Sequence, residues 1–339
     1  MILLRSREMS GLARVVAIFG AGRIGLALAG RIAVRLDLEG EVLPLDWSSR
    51  GGQVRDLGAI ARSIERELER PGGRLDVVWS AGRARFAATE SETALELESF
   101  ERVFGTVRAL ASNVPGTKPR FHLVSSAGGL FEGQRGVEPD TRPAPRRPYG
   151  RLKLRQERLL LDGTGIDGRR IYRLTAVYGP ILPYEGKGLI ETLGYNALTH
   201  RTTSIYGTPS TLRDFVWRDD VVRFLADAIA DSGTRCEAVA TLASARPASI
   251  LEIQRMIESG LRRRAYLVFS TSRADRADIT YSPALAPPGW RPADLSSTVH
   301  RICREALGGR RDRPWGSRGS ANLDRPPPNG GTPWISTLR

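Results

Sequence analysis

Cysteine and histidine are scarce in this chain of 339 residues, and their scarcity closes off two kinds of site. The two cysteines, Cys236 and Cys303, stand far apart and match no ligand spacing. They read as free thiols in a reducing, cytoplasmic setting, with neither a disulfide framework nor a thiolate metal site. The three histidines, His122, His200 and His300, are scattered, so no metal site is expected. Long apolar runs are missing too: none reaches the roughly 18 residues that a membrane-spanning helix needs. The first ten residues carry Arg5, Arg7 and Glu8 and make no secretory signal; the first strand is expected after them. Acid is in deficit, 37 Asp and Glu against 51 Lys and Arg, for a formal charge of +14. Such a charge suits nucleic acid when it is concentrated on one face. Here it is spread along the chain, and no specific nucleic-acid partner is expected. It gathers only at 308–339, with Arg310, Arg311, Arg313, Arg318, Arg325 and Pro326 to Pro328 but no apolar period. That stretch reads as a disordered tail.

What is present begins with a short β-rich run, Val15 to Phe19, followed at once by Gly20-Ala21-Gly22-Arg23-Ile24-Gly25 and a helical stretch to about Arg35. Strand, G-x-G-x-x-G and helix in this order form a dinucleotide fingerprint. Its glycines allow a tight turn, close approach of backbone to a pyrophosphate, and close helix–strand packing, and the anion sits on the free N–H groups of the helix start. A second strand, Glu41 to Leu45, ends at Asp46, a suitable distance for the carboxylate that accepts from a ribose 2′-hydroxyl. That favours NAD over NADP. Arg23 and Arg50 are the residues that could serve a 2′-phosphate instead.

A polar loop is expected from Trp47 to Gln53 and a helix from about Leu57 to Arg70. Strands follow at Asp76 to Ser80, Phe121 to Ser126 and Arg170 to Leu174, with helices over about Ser91 to Ser112 and Tyr149 to Leu161. This alternation is the signature of an α/β fold with a doubly wound parallel sheet. The carboxyl ends of such strands gather ligand-binding groups. Gly20 to Gly25, Asp46, Ala81 and Gly82, and Ser125 and Ser126 all fall there. Residues 14–180 read as the dinucleotide-binding domain, and 181–307 as a smaller substrate-binding region, partly returning to the main sheet. Tyr149 and Lys153 share one helix face at i and i+4. An ammonium beside a phenol favours the phenolate, which suits a general base.

Taken in order, these fragments resemble the extended short-chain dehydrogenase/reductase family, in its nucleotide-sugar epimerase and dehydratase branch. The resemblance covers about residues 14–307. It also rests on Arg173-Leu174-Thr175-Ala176-Val177-Tyr178-Gly179-Pro180, on Arg213-Asp214-Phe215-Val216, and on Gly289-Trp290-Arg291-Pro292. It implies an NAD-dependent 4-epimerase of a nucleotide sugar, with Tyr149 as acid/base, Lys153 on the nicotinamide ribose, and Ser126 (Ser125 as alternate) on the sugar hydroxyl. Arg213 would meet the substrate diphosphate, joined by Arg273 or Arg276. A homodimer through the two long helices is a family-level expectation. The alternatives are an NAD(P)H-dependent reductase and a non-catalytic dinucleotide-binding protein. The chain departs from the family pattern at four places. Phe19 stands at the first glycine of the loop, and Arg102 at the asparagine of the long helix. Ala127 takes the serine position when counted back from Leu130. The third strand is compressed into Val54 to Leu57. No Asp-Glu pair follows the serines, which speaks against a 4,6-dehydratase.

Overall fold

The computed structural model describes residues 1–6, 13–69, 73–117, 119–181, 188–231, 238–270 and 277–308. Residues 309–339, Cys236, Arg273 and Arg276 lie outside them. The chain forms two compact units. The first, residues 1–177, 212–247 and 277–292, is built on a seven-stranded sheet. Its strands in chain order are β1 (Ile2–Ser6), β2 (Arg14–Phe19), β3 (Leu38–Val42), β4 (Arg74–Trp79), β5 (Arg120–Ser126), β6 (Gly168–Leu174) and the strand Val239–Leu242. The spatial order runs from Val239–Leu242 through β6, β5, β4, β2 and β1 to β3. Helices α1 (Arg23–Leu36), α2 (Arg50–Leu68), α3 (Glu90–Asn113), the short α4 (Ala127–Leu130) and α5 (Pro148–Asp162) connect them. The sheet is parallel except for β1, which runs antiparallel to both neighbours.

Three sequence expectations are corrected here. The chain's first strand lies at Ile2–Ser6, ahead of the dinucleotide motif; its side chains Ile2, Leu3 and Leu4 are buried, so pairing with β2 and β3 removes an apolar segment from water. The second strand of the fingerprint ends at Val42, leaving Asp46 in the following turn. Helix α2 begins at Arg50, so Val54 to Leu57 are helical and no third strand forms there. Ser49 sets that start, because its hydroxyl accepts from Gly52 N.

One face of the sheet packs on α2 and α3. Val15, Ala17, Val77, Trp79, Phe121 and Leu123 meet Ile60, Ile64, Phe100, Val103 and Phe104. Trp79 and Phe100 meet edge to face at 5.2 Å between centroids, as do Phe104 and Phe121 at 5.5 Å. At the amino ends of the parallel strands lies a buried charged cluster. Asp76 on β4 accepts from Arg120 Nε at 2.6 Å and lies 3.2 Å from His122 Nε2, and both Arg14 and Arg74 reach its other oxygen at 3.4 Å. The other side of the imidazole faces Tyr172 Oη at 3.0 Å. Arg14, Arg74 and Arg120 also donate to the last carbonyls of helix Arg218–Ala230 at Ile229, Ala230 and Asp231.

The second unit takes in the described residues of 178–211, 248–276 and 293–308. It holds helices Leu189–Leu198, Ile250–Leu261 and Leu295–Gly308, and the parallel strand pair Thr203–Tyr206 and Leu267–Ser270. Among the described residues no helix is long and apolar enough to cross a membrane.

Asp76→Ala leaves three guanidinium groups without their shared counter-ion. Unfolding free energy should fall by about 3–5 kcal/mol, read as a lower urea midpoint. Neutralising Glu41, a half-exposed partner of Arg5, should change it by less than about 1 kcal/mol.

Candidate active site

The three motif glycines do three different jobs. Gly20 has φ +109°, and a Cβ there would lie 2.4 Å from Ala81 N, so the turn after β2 can press on the end of β4 only without a side chain. A Cβ on Gly25 would lie 1.9 Å from the carbonyl oxygen of Gly20, which fixes how closely α1 approaches the strand. Gly22 has open space where its side chain would be. It is the N-cap of α1, has no side-chain cap, and no acid stands in the first turn. Helices α2 and α3, by contrast, are capped by Ser49 and Thr89. The start of α1 therefore presents backbone donors to an open space, the arrangement that holds a pyrophosphate. Arg23 and Ile24 follow as its first helical residues, both half-buried. Ser80 closes the loop from β4, its hydroxyl donating to Gly20 O at 2.9 Å.

Asp46 sits in the turn before α2. Its Oδ1 accepts from Ser48 N, Ser48 Oγ and Ser49 N, and its Oδ2 from Ser49 Oγ. These bonds, those from the Ser48 and Ser49 hydroxyls first, hold the carboxyl well below the usual range. A Cβ on Gly52 would fall 2.0 Å from Asp46 Oδ2.

Tyr149 and Lys153 lie in the first two turns of α5, which Pro148 starts. Gly150 seats this helix on α4: a Cβ there would be 2.1 Å from Gly129 O. The same contact lays the Tyr149 ring against Gly129, with the nearest ring carbons 3.1 Å from the point where a Cβ would stand. Gly129 N donates to Ser126 Oγ at 3.1 Å, so the half-buried Ser126 hydroxyl and the Tyr149 ring flank one residue. Ser125 is turned away and buried, donating to Glu157 Oε1 at 2.6 Å. Alternate residues of a strand face opposite sides, and the two serines divide accordingly. Ala127 is fully buried at the start of α4. Phe86 stands 6.5 Å from the Tyr149 ring, between centroids, and Arg147 stacks on Phe86.

Lys153 is 4% exposed. Its Nζ lies 5.7 Å from the Tyr149 ring centroid and donates to Glu96 Oε1 and Gln156 Oε1, both at 3.1 Å. Glu96 Oε2 accepts from Ala84 N at 2.9 Å. Burial works against the lysine charge, but Glu96 and then Tyr149 outweigh it, and the pKa is raised. Glu96 carries no sequence signal of its own. It is one acid among several on α3, and only packing against α5 buries it. Gly82 lies beside this pair, its missing Cβ 3.7 Å from Glu96 Oε1 and 4.0 Å from Lys153 Nζ.

Arg213 is tied to backbone within its own strand and outside it. Its Nη1 donates to the carbonyls of Leu212 and Ala277, both at 2.8 Å. Asp214 is held by Thr175 and Ser244, and Asp219 by Arg218. Arg102, at the family's asparagine position, donates to Gln53 on α2. Among the described residues no group of acidic, histidine or cysteine side chains could hold a metal ion.

The two glycines at either end of the α1 turn make opposite predictions. Gly22→Ala should cost no more than about 1 kcal/mol of stability as a poorer N-cap, yet lower NAD affinity at least about tenfold by filling the space next to the helix start. Gly25→Ala should lower the melting temperature as well, because its Cβ meets backbone. Tryptophan-fluorescence titration with NAD, beside thermal melts, separates the two effects.

Residues 65–239, just over half the chain, match the NAD dependent epimerase/dehydratase family. No curated protein sequence matches the chain. The fold is similar to UDP-glucose 4-epimerase of Thermotoga maritima with UDP-glucose, at 21% identity over 86% of this chain and 99% of that one, TM-score 0.65. It is similar to UDP-glucose 4-epimerase of Thermus thermophilus in complex with NAD, at 19% identity, 87% and 99% coverage and TM-score 0.66. It is also similar to ADP-L-glycero-D-manno-heptose-6-epimerase of Helicobacter pylori, at 15% identity, 89% and 98% coverage and TM-score 0.65. At these identities the likeness is one of fold. The family match, together with the glycine turn and the Tyr149–Lys153 helix, makes this chain a member of the NAD-dependent epimerase/dehydratase family.

Proposed function

We propose that the protein acts on a nucleotide-linked sugar and inverts its C4 hydroxyl with bound NAD. The observation that carries the reading is the grouping of Tyr149, Lys153 and Ser126 around Gly129 and Gly82, on the same unit as the α1 turn. Gly20, Gly22, Arg23, Ile24 and Gly25 would hold the pyrophosphate, Asp46 the adenosine ribose, and Ala81 and Gly82 the nicotinamide half. When bound, NAD supplies a hydride acceptor that can return the hydride to the opposite face, as inversion at a carbinol carbon requires.

Tyr149 Oη takes the proton from the sugar hydroxyl and gives it back. Lys153 holds a positive charge near the phenol ring. Two of its three donors are used by Glu96 and Gln156. The third serves the nicotinamide ribose. Ser126 Oγ already accepts from Gly129 N, which leaves its own proton to donate to the sugar oxygen. Arg213, aimed by two carbonyls, serves the substrate diphosphate. Ser125, bound to Glu157, has a packing role. The reading includes a homodimer through α3 and α5, supported by the exposed Leu95 on α3, and a cytoplasmic setting.

The test is incubation of purified protein with a panel of UDP-, dTDP- and ADP-linked hexoses, with mass spectrometry of released cofactor. Retained NAD and appearance of the 4-epimer are expected. Stoichiometric NAD(P)H consumption with release of the cofactor each turnover would replace the reading with a reductase. Tyr149→Phe should lower turnover by about 10²–10⁴-fold and leave NAD binding intact. Ser126→Ala should cut turnover, whereas Ser125→Ala should mainly lower stability. Full activity of both serine variants would remove the serine role.

A further inference from the structure

The buried acid beside the proposed catalytic lysine is unaccounted for by any of these roles. Glu96 projects from α3 with 7% of its surface exposed. It receives Ala84 N on one oxygen and Lys153 Nζ on the other, and Gln156 Nε2 reaches the lysine-bound oxygen at 3.5 Å. The carboxylate is thus fixed by backbone on one side and by the lysine on the other. Charged groups around this point come from α3, α5 and the loop after β4, where Arg83 and Arg85, on either side of Ala84, are both exposed. Glu96 comes from α3, and Tyr149 and Lys153 from α5. Glu157, also on α5, is already bound by Arg173 of β6 through both carboxylate oxygens. Arg147 at the head of α5 is bound to Glu132. Among the described residues Glu96 is the acid that accepts directly from Lys153.

A lysine next to a tyrosine favours the phenolate because its charge is felt through a poorly screening interior. A carboxylate on the far side of that lysine offsets the same charge. We propose that Glu96 is a positioning residue for the reaction: it fixes Lys153 Nζ and, by offsetting its charge, sets the pH at which Tyr149 exchanges its proton. The site is then a Tyr–Lys–Glu triad and not a Tyr–Lys pair. The proposal rests on Tyr149 and Lys153 having the roles given above, but its test needs no substrate. Lys153 is one of only three lysines in the chain, beside Lys118 and Lys187. A compact ammonium with three donors can serve Glu96, Gln156 and a ligand at once, which a planar guanidinium could not do in the same space.

The experiment is an ultraviolet titration of the Tyr149 phenolate in full-length protein, taken as the difference between each variant and its Tyr149→Phe counterpart. Glu96→Gln keeps the shape and removes the charge. Its midpoint should fall by about one pH unit. Lys153→Met should raise the midpoint. The double variant, which leaves no uncompensated buried charge and so tolerates folding best, should lie between the two singles. Glu96→Asp should restore the wild-type value. A folded Glu96→Gln with an unchanged midpoint would overturn the proposal. So would a double variant displaced as far as Lys153→Met alone. Once a substrate is in hand, the pH profile of kcat should move with the titration. A moved titration in a protein inactive on every nucleotide sugar would sink the substrate reading and leave the triad standing.

Discussion

A single buried carboxylate organises the amino edge of the sheet. Asp76 is fully buried, and an unpaired charge there would be very costly. It is instead met by Arg120, Arg14, Arg74 and His122, which ties β4 to β2 and β5 across three strands. The same arginines donate to the final carbonyls of helix Arg218–Ala230, where the helix dipole is negative and cations are favoured. One acid therefore fixes the register of three parallel strands and anchors a crossover helix. With that end held, the opposite ends of β2, β4 and β5 are free to be irregular, and there the glycine turn, Gly82 and Ser126 occur. The buried Glu96–Lys153 pair repeats the logic elsewhere in the unit: a buried cation is neutralised by an acid from a neighbouring helix.

The legible parts of the fold and site are those written in local pattern. The β2 run, the glycine spacing, α1 and the Tyr149–Lys153 helix each carry their signal within a dozen or so residues. The parallel alternation follows from the same periods. What stayed hidden depends on tertiary pairing. Ile2–Leu4 is apolar, but a three-residue run does not say whether it pairs or trails. The start of α2 depended on Ser49, one of two adjacent serines, only one of which caps. Val54 to Leu57, short and mixed, looked like a reduced strand while belonging to a helix already begun at Arg50. The division of labour between Ser125 and Ser126 was readable as an alternation, but which faced where needed Glu157, thirty-two positions away. Glu96 could not be found at all, because its neighbours Glu90, Glu92 and Glu98 look the same in sequence and are bound elsewhere.

Strand β1 shows how a motif can keep its spacing while its geometry is rebuilt. Neighbouring strands lie about 4.8 Å apart, so inserting β1 between β2 and β3 moves β3 to about 10 Å from the glycine strand. An acid at the end of an adjacent strand would reach a ribose lying over the glycine turn; one strand farther out it would not, unless the chain came back. It does come back. Leu43 N bonds to Met1 O across the end of β1. Leu43, Leu45 and Trp47 rejoin the core, and Trp47 meets Trp79 edge to face at 6.0 Å between centroids. Trp79 belongs to β4, on the far side of β2. Asp46 lies between Leu45 and Trp47 and is carried back with them, and the Ser48 and Ser49 bonds then fix its carboxylate. The acid is thus placed by two hydrophobic anchors and a capping turn, not by strand adjacency. The interval from the glycines to Asp46 is the same in either arrangement, so the motif alone cannot distinguish them.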